Sequence, residues 1–214
     1  MHKAEEISYE KIFEYIDNFN AKDTLKLNEF RDLAVSKKIP VIKDDVRNFL
    51  EFALHLKKPK NILEIGTAVG YSAIVMAQKS YAQIDTVEID ENMRDTANKN
   101  IENFGLKERI KVHLGDAREV IPKLEKKYDF VFIDASKSHY DEFYALSTEK
   151  LAEKALIVFD NILQKGYVCL PKQEVKRSRH TIYNKMTAFL EKIRLTEKSY
   201  DLLPLGDGLL LINR

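Results

Sequence analysis

From Asn61 onward the chain alternates short apolar runs with stretches of helical length. The runs are NILEI, IDTVEI, IKVHL, DFVFID and ALIVFD, and each ends at or next to a small or acidic residue. Apolar runs of this length between amphipathic stretches predict strands joined by crossover helices, hence a parallel sheet buried on both faces. The end of the chain differs: SYDLLP and LLLINR flank LGDG, which predicts a terminal antiparallel hairpin. Before the first strand, Ile12, Phe13, Ile16 and Phe19 fall at helical spacing. So do Val46, Phe49, Leu50, Ala53 and Leu54, behind the capping candidate Asp44. The expected organisation is one domain over residues 1–214, with a helical cover over 1–58 and an α/β core over 59–214.

A length of 214 residues with 44% hydrophobic and 32% charged positions suits one folded domain rather than two or a disordered chain. There is no internal repeat and no low-complexity tract. No apolar run approaches the roughly 20 residues of a membrane span, and the first ten residues, MHKAEEISYE, are charged throughout. The expectation is a soluble, cytoplasmic protein without a membrane partner. Cys169 is the one cysteine, so no internal disulfide can form; it is expected to be a small buried apolar residue in a reducing compartment. The net charge of +1 conceals a basic stretch: residues 172–194 hold seven Lys or Arg against Glu174 and Glu191.

In open α/β sheets the ligand binds beyond the carboxyl ends of the strands. Those ends carry Glu64, Gly66, Glu88, Asp116, Asp134 and Asp160-Asn161, an acidic rim. In the loop Glu64–Ser72, Gly66 and Gly70 let the backbone pass close to a ligand. The dinucleotide and phosphate-loop glycine spacings are both absent. Glu88, about 20 residues on, can accept from both ribose hydroxyls of an adenosine. Asp116 can accept from the adenine amino group, and Glu64 is placed for the ammonium of a methionine part. Asp134, Asp160 and Asn161 leave adjacent strands as hard oxygen donors, suited to Mg²⁺, or to Mn²⁺ or Ca²⁺. An Asp-Asn pair after a strand also serves as a helix cap.

Taken in order, EIGTAVGYSA, VEID, GDA, FIDASKSHY and FDN resemble the class I methyltransferases of the catechol/caffeoyl-CoA type over nearly the whole chain. The resemblance implies a Rossmann-like seven-stranded sheet, mostly parallel with an antiparallel last strand. It implies S-adenosylmethionine held by Glu64, Gly66, Tyr71, Ser72, Glu88, Asp116 and Ala117, with Asp134 shared with a cation bound by Asp160 and Asn161. Residues 39–42, Val41 among them, resemble the segment that lies over donor and metal. Lys137 matches the general base of that family, and a divalent cation nearby would favour its neutral amine. Tyr140 would orient Lys137 or line the pocket. His139 is given no role. The cation would bind the acceptor hydroxyl and its neighbouring oxygen and aim the hydroxyl at the sulfonium methyl group. A homodimer is the expected assembly.

RSRHTI at 177–182, the basic helix after it and LLPLGDGLLL resemble a bacterial branch of the same family. That branch methylates 5-hydroxyuridine at the tRNA wobble position, giving 5-methoxyuridine. Arg177 and Arg179 would then hold phosphates of the anticodon stem-loop. Two alternatives stay open. With a merely solvated basic run, the acceptor is a small catechol-like phenol. A non-catalytic RNA-binding module would keep the basic run but would not need Asp134, Lys137, Asp160 and Asn161 together.

Overall fold

The computed structural model describes residues 8–20 and 24–214. Helices α1 (Tyr9–Phe19), α2 (Leu25–Ser36) and α3 (Asp44–Lys57) precede the sheet. The core then runs β1 (Asn61–Ile65), α4 (Tyr71–Gln78), β2 (Gln83–Glu88), α5 (Glu91–Asn103), β3 (Ile110–Leu114) and α6 (Ala117–Val120). It continues through β4 (Tyr128–Ile133), α7 (Tyr140–Glu149), β5 (Leu151–Phe159), α8 (His180–Thr196), β6 (Tyr200–Leu203) and β7 (Leu209–Asn213).

The seven strands lie in the order β3-β2-β1-β4-β5-β7-β6. The pairs β1·β2, β1·β4, β2·β3 and β4·β5 are parallel, whereas β7 runs antiparallel to both β5 and β6. The last strand alone is therefore reversed, as the hairpin pattern predicts. Alternation along β4 divides the core between the two faces. Phe130 and Phe132 pack with the α2–α5 side, and Val131 and Ile133 with the α6–α8 side. The chain turns outward to β2 and β3 from β1 and returns to the other flank as β4, so the topological switch point opens beyond the ends of β1 and β4.

The helical cover is supplied by α2 and α3, through Leu27, Ala34, Val46, Leu50, Ala53 and Leu54. In α1 the periodic positions Ile12, Ile16 and Phe19 remain 41%, 42% and 77% exposed, so this stripe is not packed into the core; the Phe13 side chain lies outside what is described. Asp44 is not the cap of α3. Lys43 holds that position, and Asp44 and Asp45 occupy the first turn, where carboxylates complement the helix dipole. Asp45 also accepts the Gly206 N–H at 2.6 Å, tying α3 to the β6–β7 turn.

One buried carboxylate belongs wholly to the scaffold. Asp85 in β2, 3% exposed, accepts from His113 Nε2 (2.7 Å), Lys126 Nζ (2.9 Å) and the Tyr128 hydroxyl (3.1 Å). Burial would raise its pKa, but the bonds to His113 and Lys126 prevail and hold it at about 2.

Candidate active site

A cavity of about 1060 Å³ opens at the switch point. Its wall includes Val41, Gly66, Tyr71, Ser72, Glu88, Asp116 and Ala117 on one side, and Asp134, Lys137, Asp160 and Asn161 on the other. Residues from five strand exits and the α3 approach thus meet in one space.

On the first side, Gly66 (φ +101°) could not be replaced: an added Cβ would stand 2.3 Å from the Asp134 carbonyl oxygen. The close approach brings the loop beside the β4 exit. Glu88 is fixed by its own loop, because its carboxylate accepts from the N–H groups of Ala68 (2.7 Å), Ile89 (2.9 Å) and Asp90 (2.9 Å). Asp116 caps α6 and is gripped by Arg118 through backbone and guanidinium, which lowers its pKa to about 2.

Glu64 does not reach the wall. It is fully buried behind it, accepting from the Ser72 hydroxyl (2.5 Å) and the Thr86 hydroxyl (2.5 Å). Burial raises its pKa to about 7 against those two bonds. The expected contact with a ligand ammonium is therefore replaced by orientation of Ser72, which does line the cavity.

On the second side, Asp160 is 2% exposed and its Oδ1 accepts the Asn161 N–H at 2.6 Å. Burial first, and then the charge of Asp134, push its pKa up to about 7; burial raises that of Asp134 too, against the pull of Lys137. Lys137 Nζ stands 3.9 Å from Asp134 Oδ1. No three carboxylate, imidazole or thiolate side chains converge as a metal cluster among the described residues. The available donors are two carboxylates and the Asn161 amide. This all-oxygen set fits a hard divalent cation, whose charge would relieve the burial and repulsion that Asp134 and Asp160 suffer without it.

Tyr140 faces the core instead of the cavity. It is 1% exposed, its hydroxyl donates to the Asp160 carbonyl at 2.7 Å, and its ring packs on Phe159 and Phe189. It orients neither Lys137 nor a ligand but anchors the backbone that carries Asp160. His139, one residue earlier, does line the cavity and contacts Glu142 Oε1 through Nδ1 at 3.0 Å. Lys43, Arg118, Phe143, Lys165, Gly206 and Asp207 also line it, and sequence reasoning assigned none of them. Cys169 is exposed, not buried.

Arg177 and Arg179 form a short 3₁₀ turn leading into α8, exposed and off the cavity wall. The Arg179 guanidinium lies 4.7 Å from the ring centre of Tyr167. The basic segment nevertheless adjoins the site, since Lys185 Nζ donates to the carbonyl of Ser138, next to Lys137, at 3.1 Å. Among the described residues no helix is long and apolar enough to cross a membrane.

Residues 17–214 match the O-methyltransferase family. Caffeoyl-CoA O-methyltransferase 3 of Nicotiana tabacum is 30% identical over 180 residues, 79% of this chain and 74% of that protein. Catechol O-methyltransferase of Niastella koreensis is 35% identical over 126 residues, 56% of this chain and 57% of that protein, so this match spans little more than half of the relative. The SAH-bound Podospora anserina methyltransferase PaMTH1 shares the fold with a TM-score of 0.85 at 21% identity, over 99% of this chain and 98% of that one. The O-methyltransferase from Bacillus cereus in complex with SAH gives 0.82 at 23% identity, over 95% and 97%. The chain belongs to the S-adenosylmethionine-dependent O-methyltransferases of the catechol/caffeoyl-CoA type.

Proposed function

We propose that this enzyme methylates the 5-hydroxyl of 5-hydroxyuridine at the wobble position of tRNA, in the presence of a divalent cation, Mg²⁺ by preference, held by Asp134, Asp160 and Asn161. The observation that carries the reading is one cavity walled by the donor-side residues and by Asp134, Lys137, Asp160 and Asn161, with the basic α8 segment docked beside Lys137 through Lys185.

Glu88, rigidly held by three backbone N–H groups, is placed to accept from the ribose hydroxyls; Asp116 and Ala117 border the adenine end and Ser72 the methionine end. Gly66, Tyr71 and Val41 shape the wall between them. When bound, the cation would acidify the acceptor hydroxyl and hold it beside the neighbouring carbonyl oxygen. Lys137 takes the hydroxyl proton. The acceptor oxygen then forms its bond to the methyl carbon as the bond from that carbon to sulfur breaks in line, leaving S-adenosylhomocysteine. Tyr140 keeps the Asp160 backbone in place throughout. Exposed Arg177 and Arg179 are available to phosphates of the anticodon stem-loop, in a cytoplasmic homodimer.

The names of the relatives favour a second reading, a small catechol-like phenol as acceptor. Purified protein with S-adenosylmethionine and Mg²⁺ should convert 5-hydroxyuridine in tRNA to 5-methoxyuridine, read by nucleoside mass spectrometry. Rapid turnover of catechols with hydroxyuridine-bearing tRNA left untouched would select the second reading.

A further inference from the structure

Lys43 and Lys165 line the cavity next to Asp160 and Asn161, and both are fastened to one turn of the β6–β7 hairpin. Lys43 Nζ donates to the Gly206 carbonyl at 3.1 Å, and the Lys165 backbone N–H donates to Asp207 Oδ1 at 2.5 Å. Both side chains are exposed, and neither ammonium has an ion-pair partner among the described residues.

The backbone at Lys165 is strained. Gln164 (φ +52°) and Lys165 (φ +59°) are consecutive left-handed residues that are not glycine, and Asn161 (φ +57°) is a third in the same loop. Such a conformation persists only where the surroundings hold it. Here the holding groups are on the hairpin: Ile162 N–H donates to Gly208 O (3.0 Å), Leu163 N–H to Asp207 O (2.8 Å), and Asp207 Oδ1 takes the Lys165 N–H. Glycine would adopt these angles without strain, so the turn is maintained with a cationic side chain at its centre. That side chain is exposed and lines the cavity that Asp160 and Asn161 also line.

We propose that Lys43 and Lys165 form a phosphate-binding pair at the acceptor mouth, with Asp207 as the positioning residue for Lys165, so that the enzyme selects acceptors bearing a phosphate close to the chelating hydroxyl. The inference rests on the reading of Asp134, Asp160 and Asn161 as the acceptor end, and it deepens that reading from base to backbone. Lysine ammoniums act on phosphate as point charges and are screened by salt when exposed. Charge balance within the acidic rim is the competing role, and it would act on every acceptor alike.

The test uses two probe pairs: 5-hydroxyuridine with its 5′-monophosphate, and 2-(3,4-dihydroxyphenyl)ethanol with its phosphate monoester. For the full chain with Mg²⁺ and S-adenosylmethionine, the readout is the ratio of kcat/KM between phosphorylated and unphosphorylated members. The ratio should be about tenfold, the scale of a charge-assisted contact, and should fall as salt rises. In Lys43→Gln/Lys165→Gln it should approach unity and lose its salt dependence. Asp207→Asn, which keeps an acceptor oxygen, should preserve the ratio better than Asp207→Ala. Calorimetric binding of the same probes with S-adenosylhomocysteine and Mg²⁺ supplies the ratio where turnover is absent, and S-adenosylhomocysteine affinity reports the integrity of each variant. A parent ratio near unity, or a ratio that survives the double substitution, overturns the proposal. So does an equal loss for both members of a pair. If only the catechol pair responds, and responds as described, the phosphate pair stands while the hydroxyuridine assignment falls.

Discussion

Asp85 and Asp160 are both almost fully buried, at 3% and 2% exposure, yet their pKa values are driven in opposite directions. Around Asp85 the protein itself supplies His113, Lys126 and Tyr128, and the bonds to His113 and Lys126 overcome burial to hold it at about 2. Around Asp160 it supplies the backbone and side chain of Asn161 and the more distant charge of Lys137, set against a like charge on Asp134, so burial prevails and takes it to about 7. A buried charge that is matched from within is scaffold; one left unmatched at a strand exit, facing a cavity, is set up for a ligand of opposite charge. Glu64 is intermediate. It is neutralised by no cation but solvated by two hydroxyls, which suits a group that orients Ser72 from behind the wall.

The comparison is broken most sharply at Asp160. Asp160→Ala should lower methyl transfer by about a thousandfold, roughly 4 kcal/mol of transition-state stabilisation, while calorimetry finds S-adenosylmethionine affinity nearly unchanged. Retained turnover would mean that the unmatched carboxylate is not chemical. Asp85→Asn should do the reverse, costing about 2 kcal/mol in urea unfolding through lost charge-assisted bonds, with kcat per folded molecule unaltered. Acid unfolding sharpens this pair. A carboxylate depressed to about 2 contributes its full stability above its unfolded value of about 4 and loses it as pH falls through about 2. The parent should therefore lose stability more steeply than Asp85→Asn over that window, and parallel curves would refute the role given to Asp85.

Glu88→Ala should weaken S-adenosylmethionine binding about tenfold through lost charge-assisted hydrogen bonds, with acceptor KM little changed. The smallest effect is expected on the surface. Neutralising Arg177 and Arg179 should weaken tRNA binding several-fold and reduce the salt slope by about one unit per lost phosphate contact. An equal loss with a small catechol would make these arginines supports of the pocket.

The strand exits were readable because parallel strands deliver their last residues to one rim, so period and chain order alone gather Gly66, Glu88, Asp116, Asp134 and Asp160. The phase of a helix after a turn was not readable. The 3₁₀ turn Lys137–His139 sends His139, which had been given no role, to the cavity and rotates Tyr140, expected to orient Lys137 or line the pocket, into the core. Nor could the partners of the hairpin be foreseen. Lys43, Lys165 and Asp207 are far apart in the chain and meet only because β7 pairs with β5 in a register that sets Leu210 opposite Phe159. The exposed stripe of α1 shows the converse limit, since helical spacing of Ile12 and Ile16 gave the element but not what it packs against.

The most direct test of the account is methyl transfer to a simple catechol, which isolates the chemistry from the identity of the natural acceptor. Protein freed of metal by EDTA should be inactive, and Mg²⁺ or Mn²⁺ should restore turnover in the parent but not in Asp160→Ala. Full turnover in excess EDTA would contradict the account, because Asp134, Asp160 and Asn161 would then have no cation to hold.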